Sequence, residues 1–78
     1  MAKVIVYSTT VCPWCVKVKD FLKQNNIEYE ERNAQENPDY AHEVLTKSGG
    51  MAVPVTDIDG TIIIGFNPKR LKEALKIA

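Results

Sequence analysis

Cys12-Pro13-Trp14-Cys15 holds the only two cysteines of the chain, set three residues apart between an apolar run, Val4-Ile5-Val6-Tyr7, and a stretch of helical periodicity. The position of this tetrad relative to a helix start decides how it reads. Proline is favoured at the first helical position, because its missing N–H would be unpaired there anyway. Three of the four prolines follow a residue able to cap a helix: Cys12-Pro13, Asn37-Pro38 and Asn67-Pro68. In two of them the cap is Asn, a common N-cap residue. In the third it is Cys12. A thiolate in that slot receives the free N–H groups of the first turn, around Trp14 and Cys15, and the positive end of the helix dipole. Cys15, one turn further in, receives much less of that field. The asymmetry predicts that Cys12 attacks and Cys15 resolves.

Magnitudes bound the effect. If the helix start lowers the Cys12 thiol from a pKa of about 8.5 to about 6, the thiolate fraction at pH 7 rises from roughly 3% to roughly 90%. Nucleophilicity falls with pKa, so about tenfold of that roughly thirtyfold gain is given back. The larger benefit comes when Cys12 is the leaving group and Cys15 attacks, since a low-pKa thiol leaves faster. Such a pair suits a protein that passes disulfides on.

On either side of the tetrad the pattern alternates strand and helix. Val4–Tyr7 is a β-branched, uninterrupted apolar run, as expected of a central strand buried on both faces. After Pro13, the residues Trp14, Cys15, Val18, Phe21 and Leu22 share one stripe at 100° per residue, giving a helix that ends near Asn25-Asn26. Ile27 and Tyr29 alternate with Glu28 and Glu30, and charge continues to Arg32, predicting a half-exposed strand parallel to the first through a right-handed crossover. Asn37-Pro38 opens a second helix with Tyr40, Ala41, Val44 and Leu45 as its apolar side, closed by Gly49-Gly50. Val55–Ile58 and Thr61–Phe66 flank Asp59-Gly60, a two-residue hairpin signal. Asn67-Pro68 caps a last helix whose inward face is Leu71, Ala74, Leu75 and Ala78. The expected order is β-α-β-α-β-β-α, in one domain over residues 1–78 with no linker or repeat.

Composition narrows the setting. At 78 residues the chain is near the lower limit for one core without staples. Ten basic side chains balance ten acidic ones, so no net charge points to nucleic acid or membrane as partner. Met1–Tyr7 is too short an apolar run for a signal peptide or a membrane span, and a lone C-x-x-C in such a chain reads as redox-active or metal-binding. A cytoplasmic monomer is expected. A structural zinc needs four ligands, and beyond the two cysteines only His42 and carboxylates remain. A metal or iron–sulfur cluster shared across a dimer stays open as the alternative, which would make the chain a binding module. A structural bridge is disfavoured, because closing so short a loop removes little unfolded-state entropy.

The order of elements, together with Tyr7-Ser8-Thr9-Thr10-Val11-Cys12-Pro13-Trp14-Cys15, Ala52-Val53-Pro54-Val55 and Gly65-Phe66, resembles the glutaredoxin branch of the thioredoxin fold over essentially the whole chain. The resemblance implies an α/β fold with a four-stranded mixed sheet, order 2-1-3-4, and three helices. It implies thiol–disulfide exchange on protein or glutathione-mixed disulfides, with no bound cofactor and with electrons from glutathione or thioredoxin reductase. The proline matching Pro54 is cis in that family and lies against the dithiol, leaving the backbone of Val53 to pair with an extended substrate. Pro13, Trp14, Val53, Pro54, Gly65, Phe66 and Asn67 are the substrate- or glutathione-binding residues it implies, with no metal site. The chain departs from the glutathione-binding pattern at three places. Thr9 and Thr10 stand where a basic residue is usual, Ala52 replaces a threonine, and Phe66 replaces a second glycine. Gly65-Phe66-Asn67-Pro68 is similar instead to the turn of small redoxins that reduce ribonucleotide reductase and draw on thioredoxin reductase.

Four residues keep alternatives. Trp14 is a core residue or an exposed contact at the mouth of the site, and Phe66 is core or a substrate contact. His42 reads as a solvated face of the second helix. Lys17 and Lys19 read as solvated surface, or as help for the thiolate or an acidic partner.

Overall fold

The computed structural model describes residues 3–50 and 52–77. Along the chain run β1 (Val4–Ser8), α1 (Pro13–Gln24), β2 (Glu30–Asn33), α2 (Pro38–Ser48), β3 (Val55–Ile58), β4 (Thr61–Ile64) and α3 (Pro68–Leu75). The sheet order is β2-β1-β3-β4, with β1 and β2 parallel and the other pairs antiparallel. This is the expected mixed sheet and element order.

The local chemistry explains where each element begins and stops. All three helices start with the anticipated cap and proline. Asn37 Oδ1 accepts the Asp39 N–H at 2.9 Å, Asn67 Oδ1 accepts that of Arg70 at 3.2 Å, and Cys12 holds the corresponding place in α1. Gly49 closes α2 with φ of +79°, a left-handed conformation that glycine adopts without a Cβ penalty. Asp59 and Gly60, at φ of +50° and +94°, make the two-residue connection that sets Ile58 opposite Thr61.

β1 is buried along its whole length, and its alternate residues feed two cores. Val4 and Val6 meet Val18 and Leu22 of α1, Ile58 and Ile63 of the sheet, and Leu71 of α3. Ile5 and Tyr7 meet Val44 of α2 and Val55 on the opposite face. α1 and α3 therefore cover one face and α2 the other. Thr56, fully buried on the α1 and α3 face beside Val6 and Ile63, has a hydroxyl with no hydrogen-bond partner among the described residues.

Three expectations change. β2 starts at Glu30, not Ile27, because its ladder with β1 begins at Ile5 opposite Glu30; Ile27 and Tyr29 pack on the core ahead of the strand. β4 stops at Ile64, not Phe66, because Gly65 turns away with φ of +78° while its N–H bonds Pro54 O at 2.8 Å. Leu45 is 46% exposed, since the inner side of α2 is centred on Tyr40, Val44 and Lys47. Ala78, assigned to the inward face of α3, lies outside the described residues.

A polar network that hydrophobic patterning does not reveal fills the α2 face beside its small apolar core. The Tyr7 hydroxyl donates to Glu43 Oε1 at 2.5 Å and accepts from Lys47 Nζ at 2.9 Å. Arg32 donates to the same Glu43 oxygen at 2.6 Å and also pairs with Glu30, while Lys47 reaches Asp57 at 2.6 Å. Four elements, β1, β2, α2 and β3, are thus joined by charge-assisted bonds.

Candidate active site

β1 delivers the chain to the top of the sheet, and the loop from Thr9 to Val11 carries it into α1. This loop is held from the side. Gln35 Oε1 accepts the Thr10 N–H at 3.1 Å, and Asn33 Nδ2 donates to Thr10 Oγ1 at 3.4 Å. Ser8, fully buried at the strand end, donates to Glu31 Oε2 at 2.8 Å, and Lys19 of α1 meets the same oxygen at 2.8 Å. Those two bonds hold the Glu31 carboxyl below the usual carboxylate range, the Lys19 bond contributing most. None of Gln35, Asn33, Glu31 or Ser8 stood out in the sequence. Their pairing follows only once β1 and β2 are known to be parallel with Ser8 opposite Asn33.

Cys12 and Cys15 are joined as a disulfide, with Cα atoms 5.2 Å apart. Cys12 Sγ accepts the Cys15 N–H at 3.2 Å, and Val16 N bonds Cys12 O at 3.2 Å as the first helical turn closes. The sulfur thus stands where an N-cap oxygen stands in α2 and α3. Cys12 is partly open to solvent, whereas Cys15 is 1% exposed. Among the described residues no three His, Cys, Asp or Glu side chains converge as metal ligands.

Trp14, between the cysteines, is 55% exposed and so is not a core residue. It tilts against Phe66 with ring centroids 6.4 Å apart, and Phe66 in turn meets Phe21 edge-on at 6.3 Å. Phe66 therefore packs partly buried against the core, as one of its readings expects, while one side of it remains at the surface. Trp14, Val53, Pro54, Gly65 and Phe66 line an open groove of about 290 Å³. The Val53–Pro54 bond is cis, and Pro54 is buried. Two of the residues assigned to binding stand outside the groove lining: Pro13 is exposed at the first position of α1, and Asn67 is exposed with its oxygen engaged as the α3 cap. Lys17 Nζ lies 4.5 Å from the Trp14 ring centroid, a cation–π contact on the outer side of the helix. His42 is exposed on α2, away from the dithiol.

An accessible capped sulfur, a buried partner one turn on and a groove beside them can exchange disulfides, and the comparisons with known proteins agree. The family model for glutaredoxin matches residues 4–63. The chain is 38% identical over 71 residues to a glutaredoxin-like 8.6 kDa protein in a rubredoxin operon of Clostridium pasteurianum, covering 91% of this chain and 95% of that protein. It is 35% identical over 68 residues to the glutaredoxin-like protein NrdH of Lactococcus lactis, covering 87% of this chain and 93% of the relative. Among solved structures, a mutant of the thioredoxin-like protein BC3987 superposes with a TM-score of 0.91 at 36% identity, each chain covered in full. With its cysteine pair, fold and groove accounted for in this way, the chain belongs to the glutaredoxin family and is a glutaredoxin-like disulfide oxidoreductase.

Proposed function

We propose that the protein reduces disulfides in protein substrates by a two-cysteine mechanism and regains its electrons from thioredoxin reductase rather than from glutathione. The Cys12 thiolate attacks one sulfur of the substrate disulfide; the other leaves as a thiolate and takes up a proton. Cys15 then gives up its proton and attacks Cys12 Sγ, releasing the second substrate thiol and leaving the Cys12–Cys15 disulfide. Two electrons have passed to the substrate, and two from the reductase restore the dithiol. The exposure of Cys12 against the burial of Cys15 supports this order of attack.

The single observation that carries the choice of reductant is the lining of the groove. Trp14, Val53, Pro54, Gly65 and Phe66 are all uncharged, so the lining itself offers a tripeptide bearing two carboxylates and an ammonium no ion pair, and the cation shown beside it, Lys17, is engaged over the Trp14 ring. Burying such charges without partners is costly. An extended protein segment fits the same lining better, with apolar side chains against Trp14 and Phe66. Among the described residues the Val53 backbone has no backbone partner, and is free to meet such a segment.

The test is NADPH consumption with a model disulfide, run with thioredoxin reductase alone and with glutathione plus glutathione reductase. Turnover in the first system and little in the second is expected. Efficient turnover only with glutathione would overturn the assignment of reductant, and activity in neither would overturn the exchange itself.

A further inference from the structure

The zero net charge of the chain conceals a separation between its faces. α1 carries Lys17, Lys19 and Lys23 against Asp20. α3 and its C-cap carry Lys69, Arg70, Lys72 and Lys76 against Glu73. Both helices pack on the same side of the sheet. Setting aside Lys19, which is paired with Glu31, six cations stand there against two carboxylates. All six cations are exposed. The other elements and loops carry the balancing excess of carboxylates, and a recess of about 510 Å³ beside α2 is lined by Glu31 and Glu36 with no basic side chain.

Helix dipoles account for Lys23, Lys72 and Lys76, which stand in the last turn or at the C-cap of α1 and α3, but not for the rest of this arrangement. Cations near the start of a helix oppose its dipole. Yet the first turn of α3 holds Lys69 and Arg70 with no acid, while α2, on the other face, has Asp39 in its first turn. The basic face is also continuous with the groove. α3 starts two residues after Phe66, behind the Asn67 cap, and Lys17 lies over the Trp14 ring that lines the groove with Phe66.

We propose that the basic α1 and α3 face steers the dithiol toward proteins whose reactive disulfide is flanked by carboxylates. This rests on the exchange reading above and adds a partner chemistry to it. A protein is favoured over a nucleic acid or a membrane because the cations border an apolar groove beside the cysteines, so that one partner would engage both. Complementary charge acts mainly on the rate of encounter and is weakened by salt.

The experiment uses the reduced protein and three synthetic peptides, each closed by one disulfide and alike except for flanking Asp, Ser or Lys residues. Fluorescence of Trp14, the only tryptophan, reports the reaction. At an ionic strength of about 0.01 M, where the Debye length is about 30 Å, the Asp peptide should react about tenfold faster than the Lys peptide. The difference should shrink toward parity at about 0.15 M. The double variant Lys69→Glu, Arg70→Glu cancels the net charge of the face and places acids where the α3 dipole favours them, so it is expected to fold. It should lose the preference while reducing the Ser peptide at the wild-type rate. Equal rates for the three peptides at low salt, or a preference that survives the double substitution, would overturn the proposal. Retention on duplex DNA or anionic vesicles at the higher salt, with equal peptide rates, would assign the face to a polyanion and overturn it too. Failure to reduce any peptide would instead overturn the exchange reading, and the steering with it.

Discussion

The Trp14 ring rests on Phe66, their centroids 6.4 Å apart, so the helix that carries the dithiol and the turn that opens α3 share one apolar wall. Phe66 also meets Phe21, which ties that wall to the core under α1. The site and the fold are thereby coupled through one side chain.

Phe66→Ala should act on both. Removing a half-buried aromatic ring with two ring contacts is expected to cost about 2 kcal/mol, less than a fully buried ring. Urea denaturation checks this. The same variant should raise KM for a peptide disulfide more than it lowers kcat, because it removes a wall of the groove and leaves both sulfurs in place.

Tyr7→Phe tests the network under α2. The hydroxyl is bonded to Glu43 and Lys47, and its loss leaves both charged groups short of a partner. A loss of about 2 kcal/mol is expected for hydrogen bonds to charged groups. Exchange rates should stay at the wild-type value, since the network lies across the sheet from α1.

Thr56→Val should stabilise the protein. The Thr56 hydroxyl is buried among Val6 and Ile63 without a partner, and an apolar side chain of the same shape removes that penalty. A gain of about 1 kcal/mol is expected. A loss on thermal or urea unfolding would contradict the orphaned hydroxyl.

Stability should have an acid limb and an alkaline limb. The carboxyls of Glu31, Glu43 and Asp57 are all held below their ordinary values. Bonds from Lys19 and Ser8 do this for Glu31, and bonds from Tyr7 and Arg32 for Glu43. Burial pushes Asp57 up, but Lys47 and the Gly60 N–H outweigh it. A lowered folded pKa gives stability that is present above the unfolded values of 4.5 and 3.8 and is lost as pH falls through the folded ones. Tyr7 is raised, chiefly by burial and by Glu43, so its contribution is present below 10.0 and lost as pH rises through the folded value. Lys47 is also raised: burial pulls it down, but its bonds to Asp57 and Tyr7 prevail, and its contribution is lost in the same direction. Urea midpoints should therefore be level between about pH 5 and about pH 9 and fall on both sides. Glu43→Gln should flatten the acid side.

Local chemistry made much of this legible in the sequence. The cap-and-proline pairs before Trp14, Asp39 and Lys69 mark each helix start through backbone groups only a few residues away, and Asp59-Gly60 fixes its hairpin by two φ angles. β1 is legible because Val4–Tyr7 is apolar on both faces. Features that depend on distant partners were not legible. The start of β2 is set by where β1 offers free backbone groups, and Tyr29 gives no sign of that. The inner side of α2 differs from the apolar stripe through Leu45 because the Tyr7 hydroxyl draws the charged Lys47 and Glu43 inward, which hydrophobic periodicity does not register. The dithiol followed from Cys12 and Cys15 alone, but the meeting of Trp14 with Phe66 needed the whole fold to bring α1 and the turn before α3 together.

The central claim, that Cys12 attacks and Cys15 releases the product, is tested most directly by mass spectrometry of the Cys15→Ser variant after reaction with a disulfide-closed peptide in the absence of glutathione. The account predicts a stable adduct whose mass equals protein plus peptide, with the linkage at Cys12, and no reduced peptide released. Absence of any adduct, or turnover of the peptide at the wild-type rate, would contradict it.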